Sequence, residues 1–271
     1  MKPRMRRSGL AKIKSPDEIE AMRQAGSLVY RVLCRVREMV EPGVTTSQLN
    51  AEAEKLIAAL GAEALFRGVE IPQARFPFPT ALCTSVNEQV VHGIPSDEPL
   101  VEGSVLSVDC GVRLNGYCGD SATTIAVGKV SPDVGRLMQV TAETLEIAVR
   151  EIRPKIWWSD VAGKMQAHVE SAGFSVVREF VGHGIGREMH EEPKVPNYVD
   201  PRESRLDFVL TTGMVIAVEP MVNMGRAAVR YGDDTGWPVV TRDGTYAAHF
   251  EHTIAVTPRG ADVLTDGHAV V

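Results

Sequence analysis

The chain has 271 residues, 44% of them hydrophobic, which is enough to bury a substantial core. Its net charge of -6 argues against nucleic acid as the main ligand, because phosphate binding calls for a basic face. No apolar run approaches a membrane span and the N-terminus lacks the apolar core of a secretory signal, so a cytoplasmic protein with no direct nucleic-acid or membrane partner is expected.

Residues 1–12 carry Lys2, Arg4, Arg6, Arg7 and Lys12 ahead of any acid. They read as a solvated basic tail, with a ribosome or RNA contact as the alternative. From residue 13 onward no Gly/Ser-rich or Pro-rich linker interrupts the chain, so 13–271 is expected as a single domain. Ser15-Pro16-Asp17-Glu18 is a capping box with proline at the first helical position. It opens a helix with Ile19, Met22, Val29, Leu33, Val36 and Val40 at helical spacing that stops before Pro42. A shorter helix is expected from Leu49 to Leu60, ending at Gly61.

The stretch from Gly103 to Val127 places apolar alternation on both sides of Asn115-Gly116, the signal of a tight hairpin. A two-residue turn there sets Leu114 opposite Tyr117 and Asp109 opposite Ala122, with Asp120 as the diagonal neighbour of Asp109 on one face. Cβ atoms so placed lie roughly 7 Å apart. Two carboxylates that close are either solvated or, if buried after the Val-Leu-Ser-Val run, in need of a cation.

Beyond the hairpin the pattern starts again. Ser131-Pro132-Asp133 opens a helix with Val134, Leu137, Leu145, Ala148 and Ile152 on one face, stopping before Pro154, and Val161 to Ala172 form a shorter helix ending at Gly173. Trp157-Trp158 replace the small pair Thr45-Thr46, and form a contact surface or pack against the helices. Gly182-His183-Gly184-Ile185 echoes Val91-His92-Gly93-Ile94. Gly213 to Glu219 matches Gly103 to Asp109 position for position, and Glu251 precedes Thr253-Ile254-Ala255-Val256 as Asp120 precedes Thr124 to Val127. The offset differs by an even number, so the acid keeps its face. An internal duplication follows, with halves at about 13–128 and 129–260.

A pseudo-twofold axis relating these halves brings Asp109 near Glu219 and Asp120 near Glu251. One divalent ion leaves four carboxylates unbalanced and two neutralise them; two-metal hydrolases hold their ions roughly 3.5–4 Å apart. Oxygen donors with one imidazole suit Mn(II), Fe(II), Co(II), Zn(II) or Ni(II), with no choice among them. Cys34, Cys83, Cys110 and Cys118 show no Cys-x-x-Cys spacing and read as reduced, mostly buried thiols, with Cys118 on the Asp120 face.

Five blocks in order carry a resemblance. Ser85-Val86-Asn87-Glu88-Gln89-Val90-Val91-His92-Gly93-Ile94-Pro95 is the first. Val108-Asp109 with Gly119-Asp120 is the second. Gly182 to Gly186 with His190-Glu191-Glu192-Pro193, Val218-Glu219-Pro220-Met221-Val222, and Phe250-Glu251-His252-Thr253 complete the set. Together, from about Ile13 to Val256, they resemble the type I methionine aminopeptidases of the bacterial kind, in metallopeptidase family M24. The resemblance implies a duplicated α/β (α+β) pita-bread (creatinase/aminopeptidase) fold, an antiparallel sheet with two helix pairs on one side. It also implies two divalent metal ions per chain, with Asp109 chelating one, Asp120 and Glu251 bridging both, and His183 and Glu219 completing the other. Glu219 would shuttle the proton of an attacking water. His92 and His190 would contact the substrate and steady the oxygen that becomes negative.

By the same resemblance Phe78, Cys83, Met189 and Trp237 line the methionine pocket, although Met189 stands where an aromatic is usual and Arg75 to Pro79 departs from the usual tyrosine-rich loop. Cys118 stands where the family often has histidine and is not a family ligand. Glu219 follows His183 by 36 positions, which leaves no room for a type II insertion. The implied activity is removal of the initiator methionine from nascent chains with a small second residue, by a monomer in transient proximity to ribosomes. A proline-specific aminopeptidase or prolidase on this fold, and a non-catalytic binding module that has lost the ligands, are the alternatives.

Overall fold

The structure, a computed structural model, describes residues 11–200 and 207–267. The basic residues Lys2, Arg4, Arg6 and Arg7 lie outside the described residues. Lys12 is exposed, as expected of the tail, and its Nζ reaches Glu191 Oε1 at 3.1 Å.

Helix α1 spans Pro16–Met39. Its N-cap Ser15 accepts from the Glu18 N–H at 3.2 Å while Glu18 accepts from the Ser15 N–H at 3.0 Å, the reciprocal pair expected from the sequence. Met22, Ala25, Val29, Val32 and Val36 form its buried stripe. Helix α2 spans Thr46–Ala59 and begins three residues before the expected Leu49, because Thr45 and Gln48 make a second capping box. Helix α3 spans Pro132–Glu151, capped by Ser131, and α4 spans Trp158–Ser171, again starting ahead of the expected Val161. Gly61 (φ 70) and Gly173 (φ 87) end the two short helices in the left-handed region that glycine reaches without strain.

Every strand pairing among the described residues is antiparallel. In the first half β1 (Glu63–Ala64) and β2 (Leu82–Val86) share one edge of β4 (Val105–Leu114), whose other edge carries β5 (Tyr117–Ala126); β3 is Gln89–Val91. In the second half β6 is Ser175–Val176, and β7 (Gly182–Gly184), β8 (Glu191–Val195), β9 (Val215–Val218), β14 (His252–Thr257) and β15 (Gly260–Val263) form one sheet in the order β8-β7-β9-β14-β15. The remaining strands are β10 (Met221–Asn223), β11 (Val229–Tyr231), β12 (Val239–Thr241) and β13 (Ala247–His249). They make two small sheets, β6-β10-β13 and β3-β12-β11. Among the described residues the expected antiparallel sheet is therefore divided into four hydrogen-bonded pieces.

The duplication is visible in how β2-β4-β5 repeats as β7-β9-β14. Gly103 (φ 91) and Gly213 (φ 89) turn the chain into β4 and β9 in the same way. The register corrects one expected correspondence. Ser85 pairs with Ser107 and His183 pairs with Ala217, and Ala217 is the counterpart of Ser107. His183 is thus equivalent to Ser85; His92 lies past the end of β3 with φ 60 and follows Ser85 at the same spacing as His190 follows His183.

One core packs α1 and α2 on β2 and β4 through Val29, Val36, Leu49, Leu82, Leu106 and Val108. Its counterpart packs α3 and α4 on β9 and β14 through Leu145, Trp158, Met165, Ile216 and Ile254. Trp158 is 1% exposed, donates its indole N–H to Pro196 O at 2.8 Å and stacks on Phe208, so it is core and no contact surface; Trp157 is half-buried. Cys83, Cys110 and Cys118 are buried free thiols and Cys34 is half-buried. No described helix is long and apolar enough to cross a membrane.

Candidate active site

The β4-β5 hairpin closes through Asn115 (φ 52) and Gly116 (φ 80), setting Leu114 opposite Tyr117 and Asp109 opposite Ala122. Asp120, two residues from Ala122, shares the Asp109 face because side chains alternate along a strand. In the second half β14 pairs with β9 from His252 against Val218, and one further step sets Glu251 beside Glu219.

The seam between the halves is stitched at these positions. Thr253 Oγ1 accepts from the Asp120 N–H at 3.1 Å and donates to Asp120 O at 2.8 Å. Ser121 Oγ donates to Glu251 O at 2.6 Å, and the Glu251 N–H donates to Ala122 O at 2.9 Å. The acids are therefore carried on backbone held from both sides.

Asp120, His183 and Glu251 each offer a ligand atom, all within 4.8 Å of one another. Asp109 and Glu219 border the same cavity, and His183 Nε2 stands 3.6 Å from Glu219 Oε1. Asp109 Oδ1, Asp120 Oδ1 and Glu251 Oε1 are buried without a hydrogen-bond partner. Burial pushes the carboxyl pKa of Asp109 well above its ordinary range, and the charges of Asp120 and Glu219 add to the push. Glu219 and Glu251 are raised in the same way, by burial first and then by neighbouring acids. Asp120 rises to about 7 by burial, against the hydrogen bonds that favour its ionised form.

Orphaned carboxylate oxygens converging with one imidazole are a donor set that fits divalent cations. His183 is arranged for it: Nδ1 lies 2.9 Å from Gly184 O and donates to it, which leaves the Nε2 lone pair facing the acids. Burial, with His190 nearby, lowers the His183 pKa to about 4, so the ring is neutral and able to ligate.

Three more imidazoles surround the cluster. His190 stands at the exposed rim with its ring 4.4 Å from that of His183, its pKa lowered by partial burial. His92 meets Phe180 and Trp237 edge-on at 5.4 and 6.3 Å, and burial lowers it to about 4. His249, which sequence reasoning passed over, is buried with Nε2 3.7 Å from Glu219 Oε2. Its signal was present, since it sits two residues before Glu251 and so on the same face of an extended segment.

The carboxylates form the floor of a cavity of about 520 Å³ whose far wall is apolar. Phe66, Phe78, Cys83 and Trp237 are buried there together, with Met189 half-buried against them. All four residues expected in the methionine pocket line it, joined by Phe66, Val69 and Ile71, which the sequence did not single out. Trp237 meets Phe78 edge-on at 4.9 Å and donates its indole N–H to Phe76 O at 2.8 Å, tying the 66–79 loop over the pocket. Burial and the Asp109 charge raise the Cys83 thiol pKa, so it remains a neutral wall. Cys118 stays outside the cluster: its Sγ donates to Arg187 O at 3.4 Å.

Residues 20–258 match metallopeptidase family M24. The chain is 43% identical to a methionine aminopeptidase of Clostridium perfringens over 253 residues, 93% of this chain and 98% of that one. It superposes on the crystal structure of methionine aminopeptidase from Thermotoga maritima with a TM-score of 0.87 at 42% identity, covering 94% of this chain and 99% of that one. An Xaa-Pro dipeptidase of Bacillus anthracis shares the fold alone, with a TM-score of 0.72 at 22% identity, covering 94% of this chain but 62% of that one.

Proposed function

The chain belongs to metallopeptidase family M24, and from that membership we propose that its four converging carboxylates and His183 hold two divalent metal ions with which it removes the N-terminal methionine of polypeptide chains. It is a metal-dependent exopeptidase on the duplicated pita-bread fold. The observation that carries the reading is the convergence of Asp120, His183 and Glu251 within 4.8 Å on the floor of a cavity whose wall is apolar and aromatic.

Asp109 would hold one ion, Asp120 and Glu251 would serve both, and His183 with Glu219 would hold the second. The count of two is supported by charge, because four carboxylates raised in pKa by burial need two divalent cations to stay ionised together. Ions held there supply Lewis acidity to the scissile carbonyl and to a water. Glu219 would take the proton of an attacking water and pass it to the departing amine, a role supported by its place between two neutral imidazoles. His92 and His190, neutral at pH 7 because burial lowers both, each keep one N–H with which to hold the peptide carbonyl and amide.

The substrate's methionine side chain enters the wall of Phe66, Phe78, Cys83, Met189 and Trp237. Polarizable sulfur against aromatic edges favours a thioether over a branched or charged side chain. We read the second residue as small, in keeping with the methionine aminopeptidases the chain resembles. We read the enzyme as a cytoplasmic monomer that meets nascent chains as they leave the ribosome.

The test is release of methionine from a Met-Ala-Ser peptide by metal-stripped protein reloaded with Mn(II), Fe(II) or Co(II), run beside an Ala-Pro peptide. Metal-dependent cleavage of the first alone is the expected result. Cleavage of the second alone would move the protein to the proline-specific branch. Silence on both, with metal shown to be bound, would make it a binding module.

A further inference from the structure

His249 lines the cavity beside the carboxylates, and the five-ligand reading leaves it without a task. It is 2% exposed, and its Nε2 is buried without a hydrogen-bond partner. That nitrogen lies 3.7 Å from Glu219 Oε2, while the other oxygen of the same carboxylate, Oε1, lies 3.6 Å from His183 Nε2. Glu219 is thus flanked by two imidazoles, one on each oxygen.

The ring of His249 is not free to turn elsewhere by a shift of its backbone. Its N–H donates to Thr124 Oγ1 at 2.9 Å, its carbonyl accepts from the same hydroxyl at 2.8 Å, and Ser107 Oγ at 2.8 Å completes the bonds of that hydroxyl. Those contacts cross from the second half of the chain to the first, so His249 is held by the seam itself. Glu219 is held at its own carbonyl by Asn197 Nδ2 at 3.0 Å. Its carboxylate, by contrast, makes no hydrogen bond among the described residues, and because the His183 Nε2 carries a lone pair, His249 is the one of the two flanking rings that can offer it an N–H.

We propose that His249 is a positioning residue: it donates its Nε2–H to Glu219 Oε2 and so keeps Oε1 turned toward His183 and the metal centre. A carboxylate with both oxygens free can rotate out of the geometry that ligation and proton transfer need. A fixed donor on the outer oxygen removes that freedom, which is how outer partners commonly set ligand orientation. The proposal rests on the metal-centre reading above.

The experiment compares wild type with His249→Gln, which can present a donor at similar reach, and with His249→Leu and His249→Phe, which fill the space without one. Each stripped protein is titrated with Mn(II) by calorimetry and then assayed on Met-Ala-Ser. The expected result for the donor-free variants is a fall of about 10- to 100-fold in Mn(II) affinity for one of the two equivalents, with kcat falling and KM little changed. His249→Gln should recover most of both. Wild-type Mn(II) affinity and kcat in either donor-free variant would overturn the proposal, as would equal losses in all three variants, which would assign the ring to packing. If wild type itself bound no Mn(II), the metal-centre reading would fail first, and that outcome is distinct from the others.

Discussion

Lys14 and Glu191 meet at 2.7 Å across 177 residues of chain, with only 6% and 3% of their side chains exposed. Glu191 follows His190 directly, so the segment ahead of α1 grips the loop that carries a proposed substrate contact. Lys12 reaches the other Glu191 oxygen at 3.1 Å, but it is 64% exposed. Burial alone would raise the Glu191 carboxyl; the hydrogen bonds from Lys14 and Lys12 outweigh it and hold the pKa below the usual carboxylate value.

Lys14→Met is expected to cost up to about 3 kcal/mol, because it leaves a buried carboxylate with only the exposed Lys12 as its ion-pair partner. Lys12→Ala should cost less than about 1 kcal/mol, as an exposed partner does. A depressed folded pKa means that the stabilisation is present above the ordinary carboxylate range and is lost as pH falls through the depressed value. The gap between wild type and Lys14→Met in urea unfolding should therefore narrow as the solution is acidified. A gap that stayed constant with pH would show that packing of the lysine stem is what Lys14 contributes.

For the metal-free protein the pH dependence has the opposite sign. Asp120 rises to about 7 by burial, and Asp109, Glu219 and Glu251 are raised as well. A carboxyl whose folded pKa exceeds its unfolded value stabilises below the unfolded value, and that contribution is lost as pH rises through the folded one. The melting temperature of stripped protein should thus fall between about pH 5 and pH 8. Metal-loaded protein should show no such fall, since cations replace the protons. Calorimetry in buffers of different ionisation enthalpy should show protons released on metal binding near pH 6 and fewer near pH 8.

Gly119 precedes Asp120 at the point where β5 runs closest to α1. A Cβ added there would lie 2.7 Å from Gly26 N and 2.9 Å from Gly26 Cα, a backbone contact that no rotamer relieves. Gly119→Ala should cost about 1–3 kcal/mol, the usual range for overpacking. It should also weaken metal affinity, because the strand can yield only by moving Asp120. Normal metal affinity in a destabilised Gly119→Ala protein would show that the seam bonds to Thr253 hold Asp120 regardless of α1.

Phe78 stands 2% exposed against Trp237 and Cys83. Phe78→Ala should lower kcat/KM on Met-Ala-Ser by roughly 10- to 100-fold, mostly through KM, because the side-chain pocket loses a wall that binds ground state and transition state alike. Mn(II) affinity should stay at the wild-type value. Loss of metal binding in that variant would indicate that the 66–79 loop supports the floor of the cavity as well as its wall.

Much of this architecture can be read directly along the chain. Asn115-Gly116 determines the hairpin register, and alternation then places Asp109 and Asp120 on one face before any contact is known. Ser15 with Glu18, and the glycines at 61 and 173, mark helix ends through bonds that span three or four residues. The repeat of Gly103–Asp109 as Gly213–Glu219 indicates that the acids converge. These signals are short-range, or they are copies of one another, so sequence carries them.

Tertiary structure alone decided the rest. The equivalence of His183 with Ser85, and not with His92, depends on which residues the sheet pairs. Lys14 with Glu191, His249 beside Glu219 and Phe66 in the pocket wall are brought together by packing between segments far apart in the chain. Such a lysine, histidine or phenylalanine looks in sequence like any solvated or core residue. Its role comes from the low-dielectric surroundings that the fold builds around it, where an unpaired polar atom is costly and a partner 30 or 177 residues away removes that cost.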